Sequence, residues 1–308
     1  MPVLRSRRVR ALFTGSGWRP FVDFLTRHLP DTYQVSLWDR VRSLEEAVAE
    51  VDILLPSNAP ISAEVIAAAR AVRLIQQPAA GVENIDLAAA RARGIPVANA
   101  PGANQRAVAE SALLLMLGLA RRLPEARARF AAAIIGEPIG RELGGRRLGV
   151  VGTGRTGGAL AELARGIGMQ VTAVGSRRSD SEWAEFLAGA DVVSLHCPLT
   201  EATRGLIDDR ALAHMKPGAL LVNCARGPIV ERAALERALE RGQLGGVGLD
   251  VFWREPWDPA DPLFAHPRVM VLPHVAGSTE EAFDRIARVC ADNILRVSRG
   301  EEPLHRVA

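Results

Sequence analysis

Lysine is almost missing from this 308-residue chain: Lys216 stands alone, and arginine supplies the rest of the basic charge. The 38 basic side chains face 35 acidic ones, for a formal charge of only +3. The arginines are scattered and often lie near glutamates, as in Arg121, Arg122, Glu125, Arg127 and Arg129. A nucleic-acid surface needs clustered cations, so nucleic acid is not an expected partner, and the arginine excess reads as codon bias. One basic cluster, Arg5, Arg7, Arg8 and Arg10, runs straight into an apolar β-run. It reads as a solvated lead-in to a strand rather than a transit peptide. Cysteine is also scarce. Cys197, Cys224 and Cys290 are odd in number and far apart, with no metal spacing and no disulfide framework. A reducing cytoplasm is the expected location. No apolar run approaches the roughly 20 residues that span a membrane, and no internal repeat or low-complexity tract is present. Against these absences stand 48% hydrophobic and 24% charged residues. That balance argues for globular order, and the length allows two domains with substantial cores.

Two successive α/β series follow from the hydrophobic pattern. In the first, β-runs fall at 9–13, 34–37, 53–55, 74–76 and 96–98, with helical patterns at 20–28, 44–49 and 63–71 between them. A long Ala- and Leu-rich helix, about 105–122, carries the apolar stripe Val108, Ala112, Leu115 and Leu119. The second series has β-runs at 148–151, 171–174, 192–195, 220–222, 247–249 and 270–272. Alternating strand and helix implies parallel, doubly wound sheets. A final helix at about 279–299 stops at Gly300 and is expected to return to the first domain. The hinge would then be two segments, 98–104 and 277–280. The Gly-rich piece 136–145 reads as a surface loop.

The second series opens on Leu148-Gly149-Val150-Val151-Gly152-Thr153-Gly154-Arg155-Thr156-Gly157. An apolar β-run leads into glycines spaced G-x-G-x-x-G and then into an amphipathic helix. This is the pattern of a dinucleotide phosphate turn. Gly152 permits the tight turn, Gly154 the approach of the pyrophosphate, and Gly157 the close packing of helix on strand. Four further candidates lie at or beyond the ends of later strands, where ligands bind in such sheets. Arg226 follows the run 220–222, Asp250 ends 247–249, Glu255 lies in Phe252-Trp253-Arg254-Glu255-Pro256, and His274 follows 270–272. Carbonyl reduction by a nicotinamide requires a proton donor for the developing alkoxide and a cation for a substrate anion. A histidine titrates in the right range for the first role. A carboxylate beside it would hold the ring and favour the imidazolium. A guanidinium pairs with a carboxylate and polarises the neighbouring carbonyl. His274, Glu255 and Arg226 form that set. Each residue alone reads more readily as a surface or turn residue; the combination carries the inference.

In these residues the chain resembles the D-isomer-specific 2-hydroxyacid dehydrogenase family. The resemblance spans nearly the whole sequence. It includes Gly81-Val82-Glu83-Asn84-Ile85-Asp86, Asn99-Ala100-Pro101-Gly102-Ala103-Asn104, Val108-Ala109-Glu110, the glycine turn, His196-Cys197-Pro198-Leu199-Thr200 and Met215-Lys216-Pro217-Gly218. It continues through Asn223-Cys224-Ala225-Arg226-Gly227, Gly248-Leu249-Asp250-Val251-Phe252 with Glu255-Pro256, and Pro273-His274 with Gly277-Ser278-Thr279. It implies two doubly wound parallel-sheet domains. A Rossmann-type nucleotide domain (100–277) would be inserted into a flavodoxin-like substrate domain (1–99 and 278–308). It implies Arg226 as anchor of the substrate carboxylate and carbonyl, Glu255 as the partner of the histidine, and His274 as general acid–base. Asp250 would contact the nicotinamide amide, and the backbone of Ala80, Gly81 and Val82 would meet the substrate carboxylate. Gly152, Gly154, Arg155, Thr156, Gly157, Cys197, Pro198, Cys224, Ala225 and His274 are placed with Asp250 around the cofactor. Cys224 is otherwise packing, and His196 is loop structure. The implied reaction interconverts a small 2-keto acid and a D-2-hydroxy acid, with glyoxylate and hydroxypyruvate as first candidates. The substrate would sit between the domains. Family members are usually homodimers joined through the nucleotide domain.

Three departures from the family pattern stand out, and the first bears on the cofactor. NAD-preferring folds carry an acidic residue at the end of the second strand, about 20 residues after the glycines. Here the sequence is Val174-Gly175-Ser176-Arg177-Arg178. A missing carboxylate and adjacent arginines suit a 2′-phosphate, so Ser176, Arg177 and Arg178 point to NADP, favoured over NAD. Thr156 replaces the usual apolar residue under the helix. The stretch 126–145 lacks the tryptophan many members carry. Two alternatives stand beside the dehydrogenase: a dinucleotide-sensing protein related to corepressors, and a dehydrogenase of a non-keto substrate such as formate or phosphite. Asn58, Arg106 and Trp253 are candidates for pocket lining, against the plainer readings of a turn, a helix start and interdomain packing.

Overall fold

The computed structural model describes residues 8–175 and 179–308. The first strands and helices alternate as β1 (Val9–Phe13), α1 (Phe21–Arg27), β2 (Tyr33–Leu37), α2 (Leu44–Val48), β3 (Ile53–Leu55), α3 (Ala63–Ala68), β4 (Leu74–Gln76), α4 (Leu87–Ala92) and β5 (Val97–Ala98). Then come α5 (Gln105–Ala120), α6 (Leu123–Ala131), β6 (Arg147–Val151), α7 (Arg155–Gly166), β7 (Gln170–Val174), α8 (Asp180–Gly189) and β8 (Val192–Leu195). The chain continues with α9 (Asp209–His214), β9 (Ala219–Asn223), α10 (Arg232–Glu240), β10 (Leu244–Leu249), β11 (Val269–Val271) and α11 (Glu280–Ser298). Two compact units result: the chain up to Asn104 together with Ser278–Ala308, and Gln105–Gly277.

In the first unit the strands form a parallel sheet in the order β2-β1-β3-β4-β5, the flavodoxin-like order. Apolar layers cover both faces, as a sheet of parallel strands requires. One layer joins Phe13, Phe21, Leu25 and Ile53 to Ile286, Cys290 and Ile294 of α11. The other joins Leu12, Leu54 and Ile75 to Val48, Val65, Ile66 and Ala90. The α11 helix starts where the Thr279 hydroxyl accepts the Ala282 N–H at 3.1 Å. Its buried face repeats every three or four residues through Ala282, Ile286, Cys290, Ile294 and Val297. The segment after β5 stays with this unit: Ala100 N–H donates to Ala79 O at 3.0 Å and Asn99 N–H to His305 O at 3.2 Å. Arg285 Nε also donates to Ala103 O at 2.8 Å. The division therefore falls after Asn104, beyond the expected boundary at 99.

The second unit is a six-stranded parallel sheet in the order β11-β10-β9-β8-β6-β7. The strand order reverses at β6, which has β7 on one side and β8 on the other. A ligand crevice forms at such a switch point. The α5 helix buries Ala109, Ala112, Leu115, Met116 and Leu119 against Leu148, Val150, Val192, Leu220 and Val222. It lies close to β10 because glycines face it: a Cβ on Gly248 would sit 3.0 Å from Leu115 Cβ. The helix stops at Ala120, short of the expected Arg122, which takes the left-handed conformation at φ 52° and starts α6. The α6 helix, unforeseen in the sequence, has no buried residue.

Candidate active site

The glycine turn occupies the C-terminal end of β6. Gly152 is at φ 108°, and a Cβ there would lie 2.7 Å from the His196 carbonyl carbon. Only glycine allows β6 and the end of β8 to approach so closely. Gly157 packs against the turn: its Cβ would lie 2.1 Å from Gly152 O. Gly154 differs, because a Cβ there would meet nothing within 4 Å. It caps the 12-residue α7 with no side-chain hydrogen bond to the first-turn N–H groups. The turn thus has two glycines required by packing and one facing open space at a helix N-terminus. Those features suit a pyrophosphate.

The next three loops leave adjacent strands, β9, β10 and β11. After β9, the buried Asn223 shapes the turn: its Nδ2 donates to Arg226 O at 2.8 Å and its Oδ1 accepts the Ala225 N–H at 3.0 Å. Gly227 allows this loop to lie on the next, since its Cβ would be 2.2 Å from the Phe252 backbone. After β10, the Glu255 carboxylate folds back to accept the Phe252 N–H at 3.1 Å. Its other oxygen accepts from His274 Nδ1 at 2.7 Å. The two side chains are about a quarter exposed, 25% and 28%, so the pair is shielded yet reachable. Burial pushes the Glu255 carboxyl up. The hydrogen bond and charge of His274, the Phe252 N–H and the Arg226 charge outweigh burial and hold it below its ordinary value. His274 itself is at φ 53°, a strained conformation for a non-glycine residue. Two restraints hold it: His274 N–H donates to Leu272 O at 3.0 Å, and the following N–H groups of Val275 and Ala276 donate to the Asp250 carboxylate at 2.8 and 3.0 Å. Asp250 is buried, and burial lifts its pKa to about 6 despite those two donors.

The remaining candidates divide. His196 is half-buried with Nε2 2.8 Å from Ser194 Oγ, and desolvation of the ring lowers its pKa to about 4, so it is a neutral packing residue. Cys197 continues from the β8 end, its N 2.8 Å from where a Cβ on Gly152 would lie, and the exposed Pro198 follows it. Ala225 is buried beside Arg226. Burial and the neighbouring Asp250 charge push the Cys224 thiol well up, away from nucleophilic use. Ala80, Gly81 and Val82 lie on the loop after β4, in the first unit. Asn58 pairs with Ser16 through two hydrogen bonds, 2.9 and 2.7 Å, and Arg106 pairs with Glu110 at 2.8 Å. Trp253 packs in its own unit, its indole N–H on Val230 O at 2.7 Å. Ser176, Arg177 and Arg178 lie outside the described residues. The sequence reading missed Asn223, the Phe252 N–H and the clamping role of Asp250. Asn223 and Gly227 flank Arg226 in one pentapeptide, which was the available signal. Among the described residues no group of three or more His, Cys, Asp or Glu side chains could hold a metal ion.

A dinucleotide turn and a carboxylate-paired histidine on one sheet define a class, the nicotinamide-linked oxidoreductases. Comparison with known proteins narrows it. Residues 113–276 match the family described as D-isomer specific 2-hydroxyacid dehydrogenase, NAD binding domain. A glyoxylate reductase of Korarchaeum cryptofilum is 37% identical over 91% of this chain and 93% of its own length. A D-3-phosphoglycerate dehydrogenase of Archaeoglobus fulgidus is 36% identical over 84% of this chain, which spans only 52% of that protein. The crystal structure of the TT0316 protein from Thermus thermophilus superposes with a TM-score of 0.87 at 35% identity, covering 97% of this chain and 100% of that one. The chain belongs to the D-isomer-specific 2-hydroxyacid dehydrogenase family, and with it to the nicotinamide-linked oxidoreductases of 2-hydroxy acids. These relatives do not favour a dinucleotide sensor or a dehydrogenase of formate or phosphite.

Proposed function

We propose that this protein reduces a small 2-keto acid of the glyoxylate or hydroxypyruvate type to the D-2-hydroxy acid, or runs the reverse, with NADP(H) preferred. The observation that carries the reading is the 2.7 Å contact between His274 Nδ1 and Glu255 beside Arg226, on the sheet that bears the glycine turn. Glu255, kept ionised by its surroundings, accepts from Nδ1 and holds the ring, which leaves Nε2 to serve the substrate. His274 protonates the carbonyl oxygen from Nε2 during reduction and takes the proton back in oxidation. Arg226 binds the substrate carboxylate and polarises the carbonyl. The backbone N–H groups of Ala80, Gly81 and Val82, in the first unit, are further candidates to bind a substrate carboxylate. Gly152, Gly154, Arg155, Thr156 and Gly157 hold the pyrophosphate, and Asp250 meets the nicotinamide end. When bound, the reduced nicotinamide supplies the hydride.

The first unit then serves as the substrate domain and the second as the dinucleotide domain. NADP preference is supported by the uncharged Gly175-Ser176 followed by Arg177 and Arg178. A homodimer through the second unit is supported by exposed apolar side chains on α6 and the segment after it, Phe130, Ile135 and Ile139. A reducing cytoplasm is supported by three free thiols. No helix of the described residues is long and apolar enough to cross a membrane. The test is oxidation of NADPH and NADH across a panel of 2-keto acids. Turnover with glyoxylate or hydroxypyruvate and a higher kcat/KM for NADPH are expected. Equal kcat/KM with the two nucleotides overturns the preference, and no turnover across the panel overturns the substrate class.

A further inference from the structure

The loop after β4 in the first unit has three successive carbonyls tied inward. Ala79 O accepts the Ala100 N–H at 3.0 Å, Ala80 O accepts from Asn99 Nδ2 at 2.7 Å, and Gly81 O accepts from Gln77 Nε2 at 2.8 Å. In a trans peptide the N–H opposes the preceding carbonyl. The N–H groups of Ala80, Gly81 and Val82 are therefore turned away from these donors, and among the described residues none of the three has an acceptor. Ala80 is exposed and the next two residues are half-buried. Successive outward N–H groups make an anion-binding concavity.

Two side chains build most of this arrangement. Gln77 is only 4% exposed, and its Nε2 also meets Ser57 O at 3.0 Å and Asn84 Oδ1 at 3.4 Å. These acceptors fix which end of the amide is nitrogen. Its Oε1 is buried with no partner among the described residues. An apolar residue would avoid that penalty, so the donor end is what the position requires. Asn84 completes the clamp, donating to Ser57 O at 3.1 Å and Ala59 O at 2.6 Å. Ser57 is at φ 53°, so the clamp also restrains the strained loop after β3.

We infer that Gln77 and Asn99 are positioning residues, whose amide donors turn the Gly81 and Val82 N–H groups outward beside that of Ala80 as the seat of the substrate carboxylate, with Asn84 tying that seat to the Ser57 loop. The inference rests on the proposed 2-keto acid reaction. It is tested in the full chain by following the backbone amide resonances of Ala80, Gly81 and Val82 while titrating oxamate, with its uncharged diamide as control. Steady-state KM and kcat are measured alongside. The variants are Gln77→Glu and the half-buried Asn99→Asp, which removes a donor with little change of shape and guards against misfolding of the first. In the unaltered chain the three resonances move with oxamate and not with the diamide. In the variants the oxamate Kd and the KM for 2-keto acid rise roughly tenfold or more, the loss of one charge-assisted hydrogen bond, while kcat and the nucleotide KM change less than about threefold. Acidification that protonates the introduced carboxyl restores one O–H donor, so the oxamate Kd recovers relative to the unaltered chain at the same pH. A merely structural role would not follow that titration. Turnover by the unaltered chain with unchanged Kd and KM in both variants overturns the inference alone. Oxamate binding that leaves the three resonances unmoved also overturns it. Oxamate binding lost in the variants, with no turnover in the unaltered chain, leaves the seat standing and overturns the activity.

Discussion

Asp250 follows β10 as a buried carboxylate and accepts two N–H groups from the loop that carries His274. Its pKa, about 6 rather than the ordinary 3.8, fixes how it acts on stability. Between about pH 4 and 6 the folded chain keeps a proton that the unfolded chain has released, so the Asp250 contribution falls as pH rises through that window. Asp250→Asn removes this titration and orphans one of the two N–H groups, at a cost of about 1–3 kcal/mol. The deficit of the variant should therefore shrink from pH 4 to 6, read from urea melts at several pH values. A deficit that grows with pH contradicts the assignment. At this scale the sequence revealed much. Arg226, Glu255 and His274 were legible because each stands just beyond a β-run. The Gln77, Asn84 and Asn223 clamps were not, because an amide reads as an ordinary polar residue until its partners, such as Ser57 for Asn84, are known.

The elements turn those residues into a site. Adjacency of β9, β10 and β11 brings Arg226, Glu255 and His274 to neighbouring loops, and reversal at β6 opens the crevice over the glycine turn. The turn makes a paired prediction. Gly157→Ala pushes a Cβ to 2.1 Å from Gly152 O and should cost about 1–3 kcal/mol of stability by overpacking. Gly154→Ala has ordinary backbone angles, φ −75° and ψ −172°, and open space. It should leave thermal stability nearly unchanged while weakening nucleotide binding roughly tenfold or more. Equal thermal shifts for the two variants, or unchanged nucleotide Kd in Gly154→Ala, contradict these roles. The glycine spacing was legible because its geometry is local. The α6 helix was hidden because its residues bury nothing, so no apolar face marks it.

Across the whole molecule, the alternation of β and α patterns was enough to predict two parallel sheets, since strand–helix–strand units connect in one hand. The chain's return through α11 was expected from the sequence, while the buried face that seats the helix on the first sheet emerges only in the structure. The cofactor preference still rests on residues 176–178 as sequence. The exposed side chains Phe130 (87%), Ile135 (97%) and Ile139 (84%) are unusual for a surface left in water. On the proposed homodimer, Phe130→Asp with Ile135→Asp should give a folded monomer in sedimentation equilibrium where the unaltered chain gives a dimer; a monomeric unaltered chain, or an unchanged mass in the variant, contradicts that proposal. In the proposed reaction His274 moves the proton while other groups hold the nucleotide. The most direct test is His274→Ala, with kcat for 2-keto acid reduction and the NADPH Kd measured on the same preparation. The expected kcat is lower by roughly 10²–10⁴, with the NADPH Kd within about threefold of the unaltered protein. A kcat within about tenfold of the unaltered value would contradict that role.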